Sequence, residues 1–353
     1  MTTNPKALDI QDDGGEDSHL NLESTDNEKE IIEKDFVPHF LPTYRVKSSL
    51  YPLPIIIAVV VAGILAYLTF FVAGVQVEES YFPEEELGAL AVVLNGVVFT
   101  VIAAISAFIM IFLIRKIGVG VIKYIFGLSF GFVSFFITLM FLDVITFLIF
   151  IQFPETTPVI KLYYLFTDIY IPALTAVSVF LLIYNYFTSK SIKTKNFIVL
   201  YISLLVSASM SIILPFWSTI AVLIGISLWD IFAVLYKRGP IKAMIDIVST
   251  NDDESDVSNA DVEEKIKSGE GVYDTSKLEI GIGDLAFYSL LTSSVLLFTN
   301  NIIVVIFTTV AILIGTGITI SGLKRNKILP GLPISIFMGI GTFLLCQLII
   351  FFI

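Results

Sequence analysis

From Leu50 onward the chain is a series of long runs of Ile, Leu, Val and Phe separated by short polar breaks. Nine runs approach the roughly 20 apolar residues that a helix needs to cross about 30 Å of hydrocarbon. They are 51–75, 89–114, 120–150, 162–187, 196–214, 217–236, 278–297, 300–322 and 331–353. The pattern predicts an all-α membrane protein of nine transmembrane helices, because a helix satisfies its own backbone where no water is available. Residues 1–50 contain no such run; they are acidic, poor in aromatics, and read as a disordered tail. A second polar stretch, 237–277, is read as a loop that is short and amphipathic over 241–248, then acidic and disordered over 251–271. The expected organisation is a tail (1–50), six helices (51–236), a loop (237–277) and three helices (278–353).

Charge tests that count. With nine crossings the connections alternate sides, and of the 21 Lys and Arg all but Lys161 fall on the side of the N-terminal tail. The positive-inside rule makes that side cytoplasmic, so the N-terminus is expected in the cytoplasm and the C-terminus outside it. One helix more or fewer would destroy the segregation. The opposite connections are short or acidic, as at 77–86 with Glu78, Glu79, Glu84, Glu85 and Glu86. A content of 56% hydrophobic residues is more than a soluble domain can hide, and points to a multi-pass protein of the cell membrane. The net charge of −11 comes mostly from the tail and 251–270, so nucleic acid is not an expected partner. Residues 1–30 lack the cationic start and apolar core of a cleaved signal peptide. A single cysteine, Cys346, excludes an internal disulfide.

Carboxyl groups inside a bilayer are costly and mark functional candidates. Apart from Glu279 at the edge of the seventh run, four lie within the predicted helices: Asp143, Asp168, Asp230 and Asp284. Asp143 and Asp168 fall toward the outer ends of their helices, within reach of water, and are read as structural. Asp230 and Asp284 differ. Each is seven residues from a lysine at the cytoplasmic boundary, Lys237 and Lys277, hence about 10 Å deep in antiparallel neighbouring helices. If those helices pack face to face, the acids meet and share one proton. Such a dyad can hydrolyse a peptide without metal or cofactor: the ionised member takes a proton from the attacking water while the protonated one donates to the carbonyl oxygen. Gly281 and Gly283 just before Asp284 allow close backbone approach. Both histidines, His19 and His39, precede the first helix and no HExxH motif occurs, so neither a zinc site of that kind nor a serine–histidine dyad is expected in the membrane. An ion-coupled transporter or channel could use the same buried acids, as could a non-catalytic scaffold of the same fold.

Three blocks carry a family resemblance. Leu214-Pro215-Phe216-Trp217 leads into Ser227-Leu228-Trp229-Asp230-Ile231-Phe232-Ala233-Val234-Leu235 and Lys237-Arg238-Gly239-Pro240. Next comes Ile280-Gly281-Ile282-Gly283-Asp284-Leu285-Ala286-Phe287-Tyr288-Ser289, and then Leu329-Pro330-Gly331-Leu332-Pro333-Ile334-Ser335-Ile336. In these blocks the chain resembles the presenilins and their archaeal homologues, the GxGD intramembrane aspartyl proteases. The resemblance implies an archaeal presenilin-like endopeptidase with Asp230 and Asp284 as catalytic residues. It also implies a substrate-contacting motif of Gly281, Gly283, Trp229 and the ninth-helix Pro330, Gly331 and Leu332. It further implies transmembrane peptides or single-span proteins as substrates, and a strand-like approach at 272–279 onto which an unwound substrate adds. Signal peptide peptidases share the aspartates but run in the opposite orientation. Two positions depart from the family pattern, Trp229 for a tyrosine and Gly331 for an alanine. Pro330 and Pro333 suggest a non-helical start to the ninth run, or simply prolines that begin a helix. Nothing in the sequence indicates accessory subunits.

Overall fold

The computed structural model describes residues 30–32, 43–75, 81–118, 120–189, 191–236, 271–273, 277–323 and 330–352. Among them are nine helices long and apolar enough to cross a membrane. In chain order these are α1 (Pro52–Tyr67, continued by a π turn, Leu68–Val72), α2 (Ala89–Ile117), α3 (Gly120–Phe150), α4 (Thr157–Thr188), α5 (Ile192–Ile213), α6 (Phe216–Leu235), α7 (Ile282–Thr299), α8 (Ile302–Leu323) and α9 (Gly331–Phe352).

Local chemistry explains several boundaries. Pro52 and Pro158 sit in the first turns of α1 and α4, where a missing N–H costs nothing. Pro172 lies inside α4 and cannot bond the preceding turn; a π turn at Phe166–Tyr170 absorbs the defect. Pro215 separates α5 from α6. Asn300, in the left-handed region at φ 46°, ends α7, and the Asn301 side chain accepts the Ile303 N–H at 2.9 Å to open α8.

The bundle is built around α7, which packs against α1, α5, α6, α8 and α9. Its residues Leu285 and Tyr288 through Val295 are buried on all sides, as expected of a helix with no lipid-facing stripe. Two of the polar side chains among them bond their own helix: Ser289 donates to Leu285 O at 2.6 Å and Thr292 to Tyr288 O at 3.1 Å. By contrast about half of the residues of α2 are exposed, and its main helix neighbour is α6. There small residues set the spacing: a methyl added to Gly96 would come 2.9 Å from Ala221 Cβ. At the end of this pair away from Asp230, buried Asn95 donates to Ser218 Oγ at 2.8 Å and to Phe82 O at 3.0 Å.

Two small two-stranded sheets accompany the nine helices. β1 (Glu30–Ile32) pairs in parallel with β3 (Gly271–Tyr273), and β2 (Thr43–Lys47) pairs antiparallel with β4 (Lys277–Gly281). Residues 43–50 are therefore not part of a disordered tail, and α7 starts at Ile282 rather than 278. The cause is a period-2 pattern: Tyr44 and Val46 face Ile280 and Leu278 on the apolar side, while Arg45 lies opposite Glu279 on the other. A window of helical length averages that alternation away. The start of the ninth run is corrected too. Pro330 immediately precedes α9 and Pro333 is in its first turn, so the prolines begin a helix. The amphipathic stretch 241–248, the acidic stretch 251–270 and most of the tail lie outside the described residues.

Candidate active site

Asp230 stands in the next-to-last turn of α6 and Asp284 in the first turn of α7. These helices pack against each other and both pack against α9. The first turn of α9 meets both acids. Its Leu332 N–H donates to Asp230 Oδ2 at 3.4 Å. A methyl placed on the neighbouring Gly331 would come 3.6 Å from Asp284 Oδ2. Consecutive residues of one helix thus face one acid each.

The N-terminus of α9 suits this position. The first N–H groups of a helix find no carbonyl within it, and together with the helix dipole they favour an acceptor or anion. Leu332 supplies such a donor, and its side chain is buried in the core. Pro333 gives up a donor that the first turn does not need.

Gly281 and Gly331 flank the same oxygen. A methyl at either would sit 3.6 Å from Asp284 Oδ2, an ordinary contact. As glycines they leave the space beside that oxygen open, and the alanine expected at 331 from the family pattern would fit there without displacing anything. The other motif residues are placed differently. Gly283 faces the Phe287 ring, with a methyl there 3.7 Å away, and not the acids. The Trp229 ring packs edge-on to Phe108 of α2, centroids 6.0 Å apart, and against Phe232 at 5.5 Å. It contributes to the α2–α6 contact. Pro330 is buried. Asp143 and Asp168 are both exposed, one on α3 and one in the π turn of α4, away from α6, α7 and α9.

One group escaped the sequence reading. Tyr288, one turn beyond Asp284 and 2% exposed, points its hydroxyl at α9. The hydroxyl lies 3.3 Å from Gly331 O and 3.2 Å from Ser335 Oγ, and Ser335 Oγ lies 3.0 Å from Thr316 Oγ1 of α8. The chain of hydroxyls ties α7, α8 and α9 together directly beneath the residue that faces Asp284. Its only hint in the sequence is a tyrosine in an otherwise apolar turn. Tyr288→Phe leaves the Gly331 carbonyl and the Ser335 hydroxyl short of a partner. It is expected to cost about 1–3 kcal/mol of stability, read as a lower unfolding temperature in detergent.

The presenilin family model matches residues 247–352, which include α7, α8 and α9. Presenilin-B of Dictyostelium discoideum is 36% identical over 129 residues, 36% of this chain and 25% of that protein. A presenilin-like protein of Arabidopsis thaliana is 22% identical over 205 residues, 39% of this chain and 51% of its own length. The chain thus aligns with a quarter to a half of these curated relatives. Two crystal forms of a presenilin family intramembrane aspartate protease share the fold. Their TM-scores are 0.53 and 0.52, at 17% and 16% identity, over 84% of this chain and 96% and 97% of theirs. The last three helices thus match the presenilin family model, and the chain shares its multi-pass helical fold with a solved presenilin family protease.

Proposed function

We propose that the chain is an intramembrane aspartyl endopeptidase that hydrolyses peptide bonds within transmembrane segments, with Asp230 and Asp284 as its two catalytic residues. The observation that carries the reading is the convergence of both carboxyls on Gly331 and Leu332 at the N-terminus of α9. One carboxylate takes a proton from water as its oxygen attacks the scissile carbonyl. The other carboxyl donates its proton to the carbonyl oxygen. When the tetrahedral species collapses, the C–N bond breaks and the amine leaves with a proton from the dyad. The Gly281 and Gly331 surfaces give the water and the substrate carbonyl room beside Asp284.

The substrates on this reading are single-span membrane proteins or transmembrane peptides in the bilayer. A helical amide is shielded by its own hydrogen bonds, so the substrate must unwind locally. Adding as a strand along β4 would hold it extended at the level of Asp284. The segregation of cations supports a cytoplasmic N-terminus. A glycosylation acceptor inserted in the tail is then expected to stay unmodified, and its modification would reverse the orientation. The catalytic reading is tested by incubating the purified chain alone with a synthetic transmembrane peptide and mapping products by mass spectrometry. A cut inside the apolar stretch supports it; an intact peptide overturns it.

A further inference from the structure

The strand before α7 does not stand alone, and its partner comes from the far end of the chain. β2, which lies one short 3₁₀ turn (Ser48–Leu50) before α1, runs antiparallel to β4 with Thr43 opposite Gly281 and Lys47 opposite Lys277. Three sets of contacts fasten it. On the apolar face Tyr44, Val46 and Leu278 pack against the core cluster that includes buried Ile280. On the other face the Arg45 guanidinium lies 2.8 Å from Glu279 Oε1, and Thr43 Oγ1 donates to Glu279 Oε2 at 3.1 Å. The third is a clamp from α5: Asn196 accepts the Arg45 N–H at 2.9 Å and donates to the Arg45 carbonyl at 2.7 Å.

That clamp fixes which way the strands face. In an antiparallel pair alternate residues turn their backbone groups toward the partner and away from it. With Arg45 engaged by Asn196, Tyr44 and Val46 are the residues of β2 that bond Ile280 and Leu278. The backbone of Glu279 therefore points to the opposite side of β4 from β2. The side-chain amide closes the outer edge of β2, so β2 is held between α5 and β4. β4 in turn ends at Gly281, the residue that precedes α7 and flanks the Asp284 oxygen.

We propose that β2 is a resident positioning strand: Thr43–Lys47, clamped by Asn196, orders β4 and so fixes the Gly281 junction from which Asp284 projects. The proposal rests on the reading of Asp284 as catalytic. The Arg45 and Glu279 side chains touch no reacting atom in this account; they act through β4, whose other edge is the one offered to a substrate strand. Displacing a reacting group by about 1 Å is enough to slow chemistry by an order of magnitude or more. Loss of β2 pairing is therefore expected to lower kcat, and it loosens the substrate's edge of β4 as well.

The test uses the full chain and two readouts, transmembrane-peptide cleavage and backbone amide exchange across 277–281. Arg45→Glu sets a second carboxylate against Glu279, and Glu279→Arg sets two guanidinium groups together. Each is expected to lower kcat about tenfold and to speed exchange at Leu278 and Ile280. The double variant Arg45→Glu/Glu279→Arg restores opposite charges and is expected to recover both readouts. Asn196→Ala is expected to act in the same direction as the single reversals. Faster exchange with unchanged kcat would make β2 mere packing, and a rise in turnover would make it a blocking strand; either overturns the proposal, as does a double variant that recovers neither readout. If the wild-type chain does not cut at all, the protease reading fails instead, and exchange alone still decides whether β2 orders β4.

Discussion

Asp230→Asn and Asp284→Asn, made singly, are expected to slow cleavage of a transmembrane peptide by about 10²–10⁴-fold, the usual contribution of general acid–base catalysis. Asparagine has nearly the shape of aspartate, and its amide oxygen can still accept the Leu332 N–H that reaches Asp230. It cannot take a proton from water, nor return one to the leaving amine. The fold is therefore expected to survive while the chemistry stops, with unfolding temperature and helical circular dichroism close to wild type. On the dyad reading the acids act as one unit, so the double variant should be little worse than either single one. Cleavage persisting at wild-type rate with either change would remove the dyad.

Gly315→Val is expected to have the largest effect on stability. In α8 a methyl on Gly315 would come 2.6 Å from the Ser335 Cα and 3.0 Å from its nitrogen. The obstacle is backbone, so no rotamer change relieves it and α9 must move. Overpacking of this kind costs about 1–3 kcal/mol. Displacement of Ser335 also breaks the hydroxyl chain from Thr316 to Tyr288, and it carries Gly331 and Leu332 away from the two acids. Both unfolding temperature and cleavage rate should therefore fall together. A variant with wild-type values for both would show that α8 and α9 are not held at this spacing.

The nine helices were legible because the bilayer allows so few alternatives. Runs that must satisfy their backbone internally leave a signal of helical length, and the charges at their ends fix the count. Counting seven residues to a lysine suggested a common depth for Asp230 and Asp284, but Lys277 lies in β4, so a helical rise does not apply from it to Asp284. Nor does such a count say which way the acids point, and the meeting place on α9 needed coordinates. The side chains of Trp229 and Gly283 show the same limit: both adjoin the acids in sequence or motif, yet they face Phe108 and Phe287. The hydroxyl chain of Tyr288, Ser335 and Thr316 joins residues 19 to 47 positions apart, and no local pattern marks it. β2 was missed for another reason. Its alternation, Tyr44 and Val46 against Arg45 and Lys47, is visible in the sequence but lasts only five residues beside an acidic tail.

Since Gly331 and Leu332 are neighbours on one helix, a slide of α9 by a single residue, about 1.5 Å, would part both acids from their contacts at once. The first turn of the ninth helix thus couples the two acids mechanically, and a shift of it is expected to disturb both together rather than one alone.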